Sequence, residues 1–269
     1  MTIKSASSQG IALITGASSG IGEVLAQRCA AAHYDVVLVA RSADKLQALA
    51  THLAHQYGVT ATVQAADLAQ DGAAAALAAK LKRQGHAVDL LINCAGVLQQ
   101  GSFAEMDAAL HQGMIDLNIS GLTAMLSAFL PGMVTQGSGR VLNVASIAAF
   151  QPIPTLATYA ATKAYVLSLS ESLAEELRGS GVTITTLCPG ITATNMLTQA
   201  SGSNQKLHAL PDFLIGDVQE VAAEGLEACL RGDAICVPGA VNKAAVIASR
   251  STPKWLVRRI GGLLGRKAL

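Results

Sequence analysis

The chain has 269 residues, of which 51% are apolar and only 14% charged, and its formal net charge is +1. So apolar a composition excludes a disordered chain, and with no Lys/Arg stripe interleaved with aromatic residues nothing points to nucleic acid. Five cysteines fall in no C-x-x-C spacing and six histidines in no H-E-x-x-H spacing, so neither a disulfide framework nor a metal site is expected.

The first ten residues contain no long apolar run before a cleavage site, so they do not read as a signal peptide, and a cytoplasmic protein is expected. Apolar runs of strand length follow at Ile11–Thr15, Asp35–Ala40, Ala61–Ala65, Val88–Asn93, Arg140–Ala145, Val182–Leu187 and Ala234–Val237, with helical stretches between them. Several runs, such as Val36–Val39 and Ile184–Leu187, are apolar on both alternating faces, which requires shelter on both sides. The expected fold is therefore α/β: a doubly wound parallel sheet of about seven strands with helices on both faces, in one domain over residues 1–269. Two uncharged stretches, Leu117–Gly139 and Val141–Thr162, reach membrane-spanning length. Asn118, Pro131, Gln136, Asn143, Gln151, Pro152 and Pro154 are expected to break both into helix, turn and strand.

Ligands of such sheets bind beyond the carboxyl ends of the strands, so the residues ending each strand matter most. The first strand runs into Thr15-Gly16-Ala17-Ser18-Ser19-Gly20-Ile21-Gly22 and then into a helical stretch, Glu23–Ala32. Glycines there let the backbone approach a pyrophosphate, and the following helix offers unpaired N–H groups. After the second strand stands Arg41 rather than an acidic residue, so a ribose 2′-phosphate is matched better than a free 2′-hydroxyl, and NADP(H) is the expected cofactor. Asp67 can accept a hydrogen bond from an adenine amino group, and Gly96, in Asn93-Cys94-Ala95-Gly96, can leave room for a ribose.

Tyr159 and Lys163 stand four apart, which on a helix puts a phenol beside an ammonium. A neighbouring cation favours the phenolate, as a tyrosine acid or base needs. Ser146 ends the fifth strand, and if the helix carrying Tyr159 starts near Thr155 the intervening loop brings the hydroxyl back to the phenol. Asn118, in the helical segment Asp116–Gly121, is a further candidate that can orient a water.

These motifs, in this order over about residues 10–195, resemble the short-chain dehydrogenase/reductase family: the glycine turn, Asp67-Leu68, Asn93-Cys94-Ala95-Gly96, Asn118, Ser146, Tyr159-x3-Lys163, and Pro189-Gly190 with Thr194 beyond. Cys94 is the clearest departure, standing where the family commonly has a second asparagine. The resemblance implies an NADP-dependent oxidoreductase interconverting a ketone or aldehyde and an alcohol, with Tyr159 as general acid/base. Ser146 would bind the substrate oxygen, Lys163 would hold the nicotinamide ribose and lower the Tyr159 pKa, and Asn118 would anchor a relay water. Cofactor contacts are implied at Gly16, Ser18, Ser19, Gly20, Ile21, Gly22, Arg41, Asp67, Leu68, Asn93, Ala95, Gly96, Tyr159, Lys163, Pro189, Gly190 and Thr194. Homodimers or homotetramers are implied as well. A silent dinucleotide-binding regulator, the competing reading, has no use for Ser146, Tyr159 and Lys163 together.

Residues 191–216 form a long connection with a small, polar centre, expected to be a substrate lid. With Ile147–Leu156, a segment of apolar residues and prolines, it should shape an uncharged pocket for an apolar substrate. The tail, residues 254–269, holds five basic and no acidic residues. Peripheral contact with an anionic membrane is conceivable there, against helix-weakening Gly261, Gly262 and Gly265.

Overall fold

The structure is a computed structural model and describes residues 9–192 and 216–252. Seven strands, β1 (Ile11–Thr15), β2 (Asp35–Ala40), β3 (Ala61–Ala65), β4 (Leu90–Asn93), β5 (Gly139–Val144), β6 (Val182–Leu187) and β7 (Ile235–Cys236), form one sheet. Every pairing is parallel and the order is β3-β2-β1-β4-β5-β6-β7. The connections therefore reverse direction between β1 and β4, and that crevice is where such a sheet binds its ligand.

Period-two alternation divides the core. Ala12 and Ile14 of β1 face α1 (Gly20–Ala31), α2 (Ala43–Tyr57) and α7 (Val218–Arg231), in a cluster with Leu25, Leu46, Leu53 and Leu226. Leu13 faces the opposite way, toward α3 (Ala73–Arg83), α5 (Leu122–Gln136) and α6 (Ala157–Glu176), with Leu81, Met125, Met133 and Val166. A buried leucine of this kind stabilises the fold by about 1.5–3 kcal/mol, and a polar residue at Leu13 should cost at least that much.

Besides a one-residue shift of β5 to Gly139–Val144 and an earlier start of α1 at Gly20, three boundaries depart from expectation for identifiable reasons. The fourth strand starts at Leu90 instead of Val88 because Asp89 occupies the sheet's entry, its carboxylate accepting from the Ile11 N–H at 2.7 Å. The seventh contracts from Ala234–Val237 to Ile235–Cys236 at the sheet's edge. The helix carrying Tyr159 starts at Ala157, because Thr155 adopts φ 70°, a left-handed conformation outside any helix.

The expected breaks at Asn118 and Pro131 do not occur. α4 (Ala108–Ile115), a π-helical turn (Asp116–Gly121) and α5 run on as one helix, Ala108–Gln136, whose most apolar window has mean hydropathy 1.4 and is 39% buried. By length and composition alone it is long enough to cross a membrane. At Asn118 the helix widens by one residue per turn without ending. Ser127 and Pro131 both lie on the exposed face of α5, where solvent can take the carbonyl that the proline leaves unbonded. Val141–Thr162, by contrast, divides as expected into β5, a 3₁₀ turn (Ile147–Phe150), a loop and the start of α6.

Candidate active site

At the crevice, β1 leads through Gly16 directly into α1. Gly16 has φ 69°, and a Cβ there would lie 2.9 Å from the Ala95 backbone. A Cβ on Gly22 would strike the Gly16 carbonyl, so helix and turn can pack only without side chains. Ser19 precedes α1 in extended conformation and its hydroxyl does not cap the helix, which leaves the first-turn N–H groups directed at the crevice. Thr15 joins the two strands that flank it. Its hydroxyl accepts from the N–H groups of Cys94 and Ala95, both at 3.0 Å, and donates to the Ile92 carbonyl at 3.3 Å. Arg41 is exposed after β2 and bonds to no described residue, and the Asp67 carboxylate accepts from the Ala69 N–H at 3.1 Å.

At the other side of the crevice Tyr159 and Lys163 lie on one face of α6 and are buried, at 8% and 6% exposure. Lys163 Nζ donates to the Val144 carbonyl at 2.8 Å and stands 5.8 Å from the centre of the Tyr159 ring. Ser146, two residues beyond β5, accepts from the Ala148 N–H at 3.1 Å and approaches the phenol closely enough to favour its ionised form. That influence is outweighed. Burial pushes the Tyr159 phenol up to about 12, against the expectation that Lys163 would lower it. Burial also pushes the Lys163 ammonium down to about 8, with Cys94 and Cys188 acting in the opposite sense. Both shifts have one cause: the pair sits in an apolar setting where either charge is poorly solvated.

That setting is assembled from distant parts of the chain. Met114, Ala148 and Ala160 pack with Tyr159, and Val97, Leu98, Met106 and Ile153 close around them. Asn118 is 1% exposed, and its amide is largely spent. Oδ1 accepts from the Val97 N–H at 2.9 Å, while Nδ2 donates to the Val97 carbonyl at 2.9 Å and to Thr162 Oγ1 at 3.1 Å. It clamps the Gly96–Val97 bend to α6. A Cβ on Gly96 would fall 3.2 Å from Asn118 Oδ1 and 3.5 Å from Lys163 Nζ, so this position keeps open a space bordered by an amide and an ammonium.

The expected residues thus gather along one edge of the sheet, from the β1 turn to the start of α6. Asn93 is buried and donates to Asn143 Oδ1 at 2.9 Å, below the crevice. Thr194, most of the expected lid at 191–216 and the basic tail at 254–269 lie outside the described residues. Thr15 and Thr162 were not singled out from sequence, although Thr15 adjoins the glycine turn, a position that could have marked it. Met114 carried no signal, since it reads as one more apolar helix residue. An uncapped helix N-terminus, a glycine-lined turn, a carboxylate after β3 and a buried ammonium make a donor set suited to a dinucleotide.

A dinucleotide crevice with a Ser, Tyr and Lys at its far end defines a class, and comparison with known proteins agrees. The model of the short chain dehydrogenase family matches residues 10–205, and the chain belongs to that family of oxidoreductases. An uncharacterized oxidoreductase of Staphylococcus epidermidis is 35% identical over 201 residues, 74% of this chain and 85% of the relative. Among solved structures, a short-chain dehydrogenase from Sphingobium yanoikuyae in complex with NADPH is 34% identical, with TM-score 0.79, covering 90% of this chain and 93% of the other. The bulky-bulky ketone specific alcohol dehydrogenase from Comamonas testosteroni is 30% identical, with TM-score 0.77 and coverage of 91% and 93%.

Proposed function

We propose that this protein interconverts an apolar ketone or aldehyde with its alcohol, using NADP(H), with Tyr159 as the general acid/base. The observation that carries the reading is the convergence of Ser146, the Tyr159 phenol and the Lys163 ammonium at the carboxyl edge of the sheet, across the crevice from the open N-terminus of α1. The cofactor, when bound, supplies a hydride to the carbonyl carbon or takes one from the alcohol. The chain's own residues do the rest. Ser146 donates to the substrate oxygen and holds its developing charge. Tyr159 gives that oxygen a proton, and since burial keeps the phenol protonated through neutral pH it is ready as the acid of the reductive direction. Lys163 holds the ribose hydroxyls, and Asn118 fixes the bend that makes room for them, with one Oδ1 lone pair left for a relay water.

The apolar walls around Tyr159, including Leu98, Met106 and Ile153, favour a substrate with apolar groups on the carbonyl, and the Comamonas neighbour acts on bulky-bulky ketones. The Sphingobium neighbour holds NADPH, and Arg41, which bonds to no described residue, stands exposed after β2 where it can meet a 2′-phosphate. Arg41→Ala should weaken NADPH binding by about 10–100-fold, the loss of one charge-assisted contact, and alter NADH binding by less than about twofold. Titration of both cofactors checks this; equal weakening of the two would remove Arg41 from the phosphate site.

The reading includes a homo-oligomer. A groove of about 490 Å³ runs between α5 and α6, lined by residues such as Leu126, Leu130, Val134, Leu169 and Leu173. Leu117–Gly139 carries no charge that a partner helix would have to desolvate, so a second copy of this chain suits the face. Light scattering should give at least twice the 27.5 kDa chain mass, and a monomer would contradict this part. None of the five cysteines is joined in a disulfide, which suits a reducing, cytoplasmic setting.

A further inference from the structure

A side chain far along the sequence reaches the same edge of the sheet. α8 (Ala240–Ser251) begins after Gly239, and in its first turn Asn242 Nδ2 donates to the Pro238 carbonyl at 2.9 Å. That bond fixes the plane of the amide. A Cβ on Gly190 would lie 2.6 Å from both Nδ2 and Oδ1 of Asn242, so the amide rests directly on the Gly190 backbone in space that only a glycine leaves. The neighbouring Pro189 carbonyl accepts from the Ile147 N–H at 2.9 Å and from the Ser146 hydroxyl at 3.5 Å. α8 also packs on the 3₁₀ turn that starts at Ile147.

We propose that Asn242 is a positioning residue for Ser146: it braces the Pro189–Gly190 bend, and through the Pro189 carbonyl it sets where the Ser146 hydroxyl stands. An amide suits this task for two reasons. Its flat face fits against Gly190, a residue without a side chain after β6, and its N–H₂ ties the first turn of α8 to the exit of β7. Aspartate has the same shape but would present an oxygen to the Pro238 carbonyl, and leucine keeps the bulk without the donor. The catalytic part of the inference rests on the proposed role of Ser146; the brace itself does not.

The test uses the full chain with Asn242→Asp and, as a second variant, Asn242→Leu. Amide hydrogen exchange at Ile147 should quicken by about tenfold or more in both, while β1 amides keep their protection. In ketone reduction with NADPH, kcat should fall about tenfold with the KM for ketone changed less than about twofold. The pH profile of alcohol oxidation should move to higher pH, because a displaced Ser146 no longer favours the phenolate; Lys163 and Cys94, the other titrating groups beside Tyr159, are untouched by the change. Unaltered Ile147 exchange would overturn the brace. A loss of kcat with no movement of the pH profile would overturn the link to Ser146. A wild-type protein that reduces no ketone would instead count against the proposed function, and the exchange measurement would still decide the brace.

Discussion

Tyr159→Phe is expected to lower the turnover of ketone reduction by about 10²–10⁴-fold while leaving the fold and NADPH binding nearly unchanged. The ring is buried among Met114, Ala148 and Ala160, and phenylalanine fills the same space. What disappears is one hydroxyl, the proposed proton donor, which interacts with Ser146. Steady-state kinetics, a thermal melt and a cofactor titration on the same preparation separate the two kinds of effect. Retained turnover would mean that another group delivers the proton; a large drop in melting temperature would mean that the hydroxyl belongs to the structure.

Lys163→Met should abolish useful turnover and make the protein more stable. In the fold, burial holds the ammonium down at about 8, well below the ordinary lysine range, so the folded state disfavours the charge. At 1.36 kcal/mol per unit that shift amounts to roughly 3 kcal/mol, partly offset in the variant by losing the bond to the Val144 carbonyl. A gain of about 1–3 kcal/mol at pH 7 follows, read as a higher denaturant midpoint. The sign reverses nowhere in the relevant window. From about pH 8 to the ordinary lysine value the unfolded chain binds the extra proton, so wild-type stability rises with pH and the gap to the variant closes. Tyr159, shifted the other way, lowers stability only at more alkaline pH, above the ordinary tyrosine value. By the same logic kcat/KM of the wild type should decline above about pH 8, as the free enzyme loses its ammonium. A variant less stable than wild type at pH 7, or a gap indifferent to pH, would show that burial does not penalise this lysine. Keeping a costly group in a core is what a site needed for chemistry would require.

The sheet was largely legible in the sequence because strands sheltered on both faces read as short apolar runs, and six of its seven members needed at most one residue of adjustment at either end. Errors arose where a single side chain or backbone torsion decided the outcome, as with Asp89 at the entry to β4 and Thr155 before α6. Asn118 and Pro131 misled because helix-breaking tendencies are local, whereas a widened turn and an exposed, solvated carbonyl are properties of place. Spacing put Tyr159 and Lys163 on one helix face correctly. It could not give the direction of the tyrosine shift, which depends on Met114, Val97 and Ile153 closing over the ring from three other segments. Asn242 was beyond reach for a similar reason: nothing near it in sequence signals that the end of β6 lies beneath its amide.

The most direct test of the account is reduction of a bulky apolar ketone with NADPH that carries deuterium at the transferable position, followed by mass analysis of the alcohol. The account predicts one deuterium on the carbinol carbon with wild-type protein, and almost no labelled alcohol with Tyr159→Phe over the same time. Alcohol formed without the label, or no alcohol from any carbonyl substrate with either nicotinamide cofactor, would contradict it.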